Sequence, residues 1–110
     1  MAITLAVAKE QLAALSDEEL AQEFTEQAER VKTLETEPSN AIKSQLYGFY
    51  KQAEKGDNEA SQPGIWNPRE RAKWIAWTEK QGLSTRDAQT EYVVLVKKLF
   101  NEIEEEEEEA

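Results

Sequence analysis

The chain has 110 residues, enough for one domain, with a formal net charge of −10 and neither cysteine nor histidine. These absences exclude disulfides, thiolate zinc sites and the Ser-His and Cys-His machinery of most hydrolases, and no carboxylate pair stands out for catalysis. We therefore predict a protein that is not an enzyme and that has no catalytic residue, metal site or cofactor.

The N-terminal part of the sequence predicts one short helix and one long helix. Residues 3–14 can form a short extra helix, which would be marginal in isolation. The long helix begins at Ser16, where Ser16–Glu19 has the pattern of a capping box. Apolar residues then recur at helical spacing and form one stripe, which comprises Leu20, Phe24, Ala28, Val31 and Leu34.

Two further helices are predicted in the middle of the chain, with a longer loop between them. The first covers residues 41–55 and is capped by Ser39 or Asn40. Asn67 as N-cap and Pro68 at the first helical position start the next helix, which Gly82 ends. The side chains expected on the buried face of the first of these helices are Ile42, Leu46, Phe49 and Ala53.

A last helix begins at Ser84, which has Asp87 three residues later, and no strand pattern is present anywhere. Its predicted apolar stripe consists of Ala88, Tyr92, Leu95, Leu99 and Ile103. The glutamates of residues 104–109 repel one another and predict a frayed tail. The fold class is therefore all-α with four helices, organised as an N-terminal extension (1–15), a helical domain (16–103) and an acidic tail (104–110).

One helical face combines aromatic rings with a positive charge. Tyr47, Tyr50 and Lys51 stand at i, i+3 and i+4, so two phenols and an ammonium share that face. A protein core rarely contains such a mixture, because a buried lysine without a partner is costly. A ligand with an aromatic base and phosphates would use both kinds of group.

The charge distribution is compatible with such a ligand. Residues 101–110 carry seven acids and no base, whereas Lys43 to Lys73 has six bases against four acids. No basic stripe is long enough to bind nucleic acid.

No signal peptide or membrane span is predicted. The apolar residues 2–8 lack the basic n-region of a signal peptide, and no apolar run approaches membrane-spanning length. We expect a soluble, cytoplasmic protein without nucleic-acid binding or membrane insertion.

An ordered set of motifs between Glu23 and Val96 closely resembles the acyl-CoA-binding protein family. The resemblance implies an up-down-down-up bundle of four helices that shields a fatty acyl-CoA thioester and acts as an intracellular carrier and buffer. The matching motifs, in chain order, are Tyr47, Tyr50-Lys51-Gln52-Ala53, Gly56-Asp57, Pro63-Gly64, Lys73-Trp74, Ala76-Trp77, Ser84, Asp87-Ala88 and Tyr92.

The resemblance also implies which residues contact the ligand. Tyr47, Tyr50 and Lys51 would meet the nucleotide end, and Lys73 would lie beside adenine and phosphate. Further contacts would come from the first and the last helix of the bundle, through Ala28, Lys32 and Tyr92. Without the family pattern, each of these lysines would be interpreted as a solvated side chain, and Tyr92, Trp74 and Trp77 as packing residues.

The chain departs from the family pattern at three positions. Lys43 and Ser44 stand where the family tends to present apolar residues to the acyl chain, and Lys80 replaces a usual leucine. From Lys43 and Ser44 we hypothesise a shortened or altered acyl channel that prefers medium over very long chains.

Two other functions remain as alternatives to a monomeric carrier that serves acyl-CoA-using enzymes. One is a helical adaptor whose termini bind a protein, with the pocket secondary. The other is a thioesterase, which the lack of histidine and of any nominated nucleophile makes remote.

Overall fold

The computed structural model describes residues 2–104, so that most of the predicted acidic tail lies outside the described residues. These residues form two compact units, one of residues 2–36 with 90–104 and one of residues 37–89. None of the helices within residues 2–104 combines the length and apolar composition that a membrane crossing requires. The elements are β1 (Ile3–Thr4), α1 (Leu5–Ala13), α2 (Asp17–Arg30), a 3₁₀ turn (Val31–Thr33), α3 (Asn40–Lys55), α4 (Pro68–Thr78), α5 (Thr85–Leu99) and β2 (Ile103–Glu104).

The predicted starts of α2, α3 and α4 are confirmed, and local side chains cap the first two of these helices. Ser16 Oγ accepts from the Glu19 amide at 3.1 Å and the Glu19 carboxylate accepts from the Ser16 amide at 3.0 Å, which completes the capping box. Ser39 rather than Asn40 caps α3. Asn67 precedes Pro68 as predicted, although its side chain makes no capping hydrogen bond.

The C-terminal ends of two helices differ from the prediction. α4 ends at Thr78, and turns continue to Gly82, whose φ of 93° lies in the left-handed region. α5 ends at Leu99, because Asn101 at φ 59° turns the chain away from the helical path. Ile103 is therefore buried in β2 and not on the helical stripe to which the sequence assigned it.

The expectation that no strand occurs is wrong for the ends of the described chain. β1 and β2 pair in parallel, with Ile3 opposite Ile103 and Thr4 opposite Glu104, and the Ile3 amide donates to the Glu102 carbonyl at 3.1 Å. Two-residue strands are too short to show the alternation by which strands are recognised in a sequence. Glu104, which the sequence grouped with the tail, is part of this pair.

The core of the first unit consists of side chains from α1, α2, α5 and β2. Each fully buried valine or leucine contributes about 1.5–3 kcal/mol of gross hydrophobic stabilisation. On α5 the buried face is wider than predicted, because Val93, Val94 and Val96 are buried while Leu95 and Leu99 are half-buried. The remaining buried apolar residues of this unit are Ala8, Leu12, Leu20, Phe24, Tyr92 and Ile103.

An ion pair holds α2 to the segment that follows α5 in the same unit. Both nitrogens of the Arg30 guanidinium donate to the two oxygens of the Glu102 carboxylate, each at 2.7 Å. The guanidinium carbon also lies 3.9 Å from the centre of the Phe100 ring. The hydrogen bonds from Arg30 lower the pKa of Glu102 below its ordinary value near 4.5.

We predict that this pair makes stability depend on pH in the acid range. Since the pKa of Glu102 is lower in the folded than in the unfolded state, its contribution is complete above the ordinary value of 4.5 and disappears as the pH falls through the lowered pKa. Urea midpoints measured across that window should fall less for Glu102→Gln than for the wild type. At neutral pH the partly exposed pair is worth about 1 kcal/mol or less.

The control for this measurement is Glu35→Gln, which changes an exposed carboxylate on the surface of the same unit. Its urea midpoints should follow those of the wild type across the whole acid range. Parallel pH profiles for Glu102→Gln and the wild type would contradict the assigned role of Glu102.

Candidate functional site

The helices α3 and α4 of the second unit lie side by side and run in the same direction. Tyr47 of α3 faces Lys73 of α4, and Lys51, one turn further along α3, faces Trp77, one turn further along α4. Two consecutive helices that run in the same direction need a connecting segment that leads from the end of the first back to the start of the second. Residues 56–67 form that connection, which the sequence predicted as the longer loop.

Close approach of these two helices depends on Gly48. A Cβ atom at Gly48 would lie 2.4 Å from the carbonyl oxygen of Ala76 and 3.1 Å from the Cγ of Lys80. The absence of a side chain therefore allows the α3 backbone to contact the α4 backbone directly. Both Gly48 and Ala76 are buried.

Two tryptophans attach the returning loop to α4. The Trp74 indole N–H donates to the Ala60 carbonyl at 2.7 Å, and that of Trp77 donates to the Gly56 carbonyl at 2.8 Å. Both side chains are half-buried. The sequence predicted that both tryptophans are packing residues. In the structure each indole N–H also satisfies a loop carbonyl, while the ring covers apolar surface.

A buried glutamine connects the end of α3 to the segment before α5. The Gln52 amide donates to the Asp57 carboxylate at 2.8 Å and to the Leu83 carbonyl at 3.0 Å, and the Gly82 amide donates to Asp57 at 2.9 Å. Hydrogen bonds from Gly82 and then from Gln52 lower the pKa of Asp57, so this carboxyl is ionised at neutral pH. These motif residues therefore connect the end of α3 to the segment before α5 by hydrogen bonds within the second unit.

A cleft of about 640 Å³ opens between the N-terminal halves of α3 and α4. Three of its lining side chains are cationic, one is a phenol, and two alanines provide apolar surface. Such a lining can hold an anion next to a ring or an alkyl chain. The lining residues are Asn40, Lys43, Ser44, Tyr47, Arg69, Ala72, Lys73 and Ala76.

Tyr47 and Lys73, both predicted site residues, meet in this cleft. The Lys73 ammonium lies 5.8 Å from the centre of the Tyr47 ring and 3.8 Å from a carboxylate oxygen of Glu70. Burial, followed by the charge of Glu70, raises the pKa of the Tyr47 phenol. The phenol is therefore protonated at neutral pH and can donate a hydrogen bond to an anionic ligand.

The other two predicted residues of the second unit lie one turn further along α3. Lys51 is half-buried, and its ammonium lies 4.8 Å from the centre of the Trp77 ring. Tyr50 is half-buried beside it in the chain. Neither residue is among those that line the cleft.

The remaining predicted residues belong to the first unit. Ala28 is half-buried on α2, and Lys32 is exposed in the 3₁₀ turn, where it pairs with Glu29 at 3.2 Å. Tyr92 of α5 is only 5% exposed, and its ring packs edge-on against Phe24 with ring centres 5.0 Å apart. Within this unit Tyr92 is thus a packing residue, as its place on the α5 stripe indicates.

Lys43 and Ser44, the positions that depart from the family pattern, both line the cleft. Lys43 is paired with Glu37 of the segment before α3. Lys80 is bonded to the Gln45 side chain, and its ammonium lies 4.2 Å from the centre of the Phe49 ring. Lys80 therefore packs its stem between the helices in place of an aliphatic side chain.

Sequence reasoning did not assign four lining residues to the site, namely Asn40, Arg69, Ala72 and Ala76, the last of which was named only as part of the family motif. Arg69 could have been found, because it stands four residues before Lys73 and so on the same face of α4. Asn40 and Ala72 carried no comparable signal, since a capping residue and an alanine occur in most helices.

Comparison with known proteins decides the family. A family model described as acyl CoA binding protein matches residues 21–96, which is more than half of the chain. The chain belongs to the acyl-CoA-binding protein family. The resemblance seen between Glu23 and Val96 is thereby confirmed, as is the all-α fold class, a helical bundle with an additional N-terminal helix.

Individual members of the acyl-CoA-binding protein family are similar over most of their length. An acyl-CoA-binding protein of Ricinus communis is 46% identical over 83 residues, which are 76% of this chain and 92% of that protein. Acyl-CoA-binding protein homolog 1 of Caenorhabditis elegans is 47% identical over 77 residues, 70% of this chain and 90% of the homolog. The crystal structure of Oryza sativa acyl-CoA-binding protein 2 superposes with a TM-score of 0.72 at 44% identity, covering 76% of this chain and 92% of that one.

Proposed function

We propose that this protein binds fatty acyl-CoA thioesters and acts as a cytoplasmic, monomeric carrier that buffers them and delivers them to acyl-CoA-using enzymes. The observation that supports this most strongly is the α3–α4 cleft, where Arg69, Lys73 and a protonated Tyr47 lie beside alanine surface. Relatives that carry the name acyl-CoA-binding protein, and that the match covers over 90% or more of their length, support the same function. No chemical step is required of a carrier.

The CoA head and the acyl chain of the ligand would contribute differently to the binding affinity. A well-placed lysine contact to a phosphate contributes about 1.5–3 kcal/mol net. Burial of an acyl chain contributes about 0.8 kcal/mol for each methylene, so a long chain offers on the order of 10 kcal/mol before costs. We infer that the cationic groups fix the position of the CoA head, and that the acyl chain supplies much of the binding free energy.

The proposed contacts follow the family pattern. Tyr47, Tyr50, Lys51 and Lys73 would hold the nucleotide and phosphates, and Arg69 is added to them because it lines the same cleft as Lys73. The family pattern supports contacts from the other unit as well, which would come from Ala28, Lys32 and Tyr92.

The cationic and hydroxyl side chains of Lys43 and Ser44 would limit how much acyl chain the cleft can cover. We predict that calorimetric affinity rises up to about tenfold for every two added carbons and then stops rising at medium chain length. In the variant Lys43→Leu with Ser44→Leu, the rise should continue to longer chains. Affinity that increases steadily to very long chains in the wild type would contradict the shortened channel.

The same titration tests the proposed function itself. Free CoA should bind far more weakly than its acyl thioesters, because it lacks the chain. An absence of saturable acyl-CoA binding would reject the carrier and favour the adaptor, whereas release of free thiol from the thioester would indicate an enzyme.

A further inference from the structure

Two apolar side chains stand at the tip of the loop between α3 and α4. The Asn67 amide donates to the Gly64 carbonyl at 3.0 Å and closes a turn, of which Ile65 and Trp66 are the two central residues. Ile65 is 69% exposed and Trp66 is 89% exposed, more than any other large hydrophobic residue among the described residues. Turn centres usually carry glycine, proline, asparagine, aspartate or serine, so this pair indicates a contact with something outside the chain.

The backbone on both sides of this tip is held by α4. The Arg71 guanidinium donates to the Pro63 carbonyl at 3.4 Å, just before the turn. The Trp74 indole fixes Ala60, and the turn leads directly into α4 at Pro68. The position of Ile65 and Trp66 at the tip therefore follows from the fold of the second unit.

Cationic side chains follow the tip in sequence. Arg69 and Arg71 lie in the first turn of α4, and Lys73 follows in the next. The guanidinium group matches the geometry of a phosphate, and tryptophan concentrates at the boundary between headgroups and acyl chains in bilayers. An apolar tip followed by the exposed guanidinium group of Arg69 is thus complementary to a phospholipid surface.

We propose that the Ile65–Trp66 tip inserts into the interfacial region of a phospholipid bilayer, with Arg69 on a headgroup phosphate. This inference rests on the proposed function, since an acyl-CoA partitions into bilayers through its chain and has to be collected there. Arg69 connects the two features, because it follows the tip and also lines the cleft. A protein partner fits less well, since two side chains provide far less than the roughly 1,000 Å² that a specific interface requires.

The contact would be weak and reversible. Two inserted side chains are a small apolar area, and the net charge of −10 opposes approach to an anionic surface. A transient contact suits a carrier that has to leave the membrane with its ligand.

Flotation with vesicles of phosphatidylcholine containing a minority of phosphatidylglycerol tests the tip directly. We expect the wild type to float in part, with a blue shift of its tryptophan fluorescence, and Ile65→Ser with Trp66→Ser to partition at least about tenfold less. The control Val7→Ser changes an exposed apolar residue of α1 and should partition like the wild type. Equal flotation of the double variant and the wild type, or no flotation of the wild type, would overturn the proposal.

Two further measurements separate this inference from the proposed function. Calorimetry without vesicles should give the double variant the acyl-CoA affinity of the wild type, which also shows that the variant is folded. The rate of acyl-CoA transfer from vesicles should rise with vesicle concentration for the wild type but not for the double variant. Equal transfer rates would reject the membrane contact alone, whereas missing acyl-CoA binding by the wild type would reject the carrier function.

Discussion

Replacement of Gly48 by alanine is expected to destabilise the second unit by about 1–2 kcal/mol. Overpacking costs about 1–3 kcal/mol, and here the obstacle is the Ala76 carbonyl oxygen, which is backbone and cannot rotate away. The better helix propensity of alanine returns at most about 1 kcal/mol. Urea unfolding followed by circular dichroism measures the difference.

Gly64→Ala is the matched control for this substitution. No atom lies within 4 Å of a Cβ at Gly64, and its φ is not in the left-handed region, so alanine fits there without strain. The control should be neutral or stabilising by up to about 1 kcal/mol. A Gly48→Ala protein as stable as Gly64→Ala would mean that α3 and α4 can separate at little cost.

Replacement of Lys51 by alanine is expected to weaken acyl-CoA binding by tenfold or more while leaving the domain folded. A charge-assisted phosphate contact is worth about 1.5–3 kcal/mol, and the ammonium over the Trp77 ring contributes about 0.5–1 kcal/mol to stability. Calorimetry measures the first effect and urea unfolding the second. Added salt should weaken binding by the wild type more than binding by the variant, because the variant has lost one screened interaction.

The control is Lys55→Ala, which removes an exposed lysine one turn further along α3. It should bind acyl-CoA like the wild type. If Lys51→Ala lost folding and binding to the same extent, Lys51 would be a structural residue and not a ligand contact.

The sequence predicts the helix starts better than the helix ends. Ser16, Ser39 and Ser84 cap helices through bonds to amides three residues later, and such bonds depend on local sequence alone. The end of α5 depends instead on a turn at Asn101 and on pairing of Ile103 with Ile3, a residue at the other end of the chain. Periodicity cannot reveal that contact, so the helix was predicted to continue.

For the candidate site, too, the sequence predicts some features, and others are visible only in the folded structure. Tyr47 was predicted from helical spacing and from the family pattern, Lys73 was predicted from the family pattern, and the structure brings them into one cleft. Their contact depends on the close approach at Gly48, which only the packed helices reveal. The Ile65–Trp66 tip was missed for a related reason, since exposure of an apolar residue is a property of the folded loop and not of its composition.

Pairing of β1 with β2 has a consequence for the order in which this protein can fold. Bringing Ile3 to Ile103 closes a loop of about one hundred residues, and the chain entropy of such a closure is on the order of 4–5 kcal/mol. A backbone hydrogen bond contributes only about 1 kcal/mol net, so this short ladder cannot form by itself. It can exist only after α1, α2 and α5 have packed and already brought the two ends together. The strand pair is thus a product of the finished helical core and not a nucleus for it.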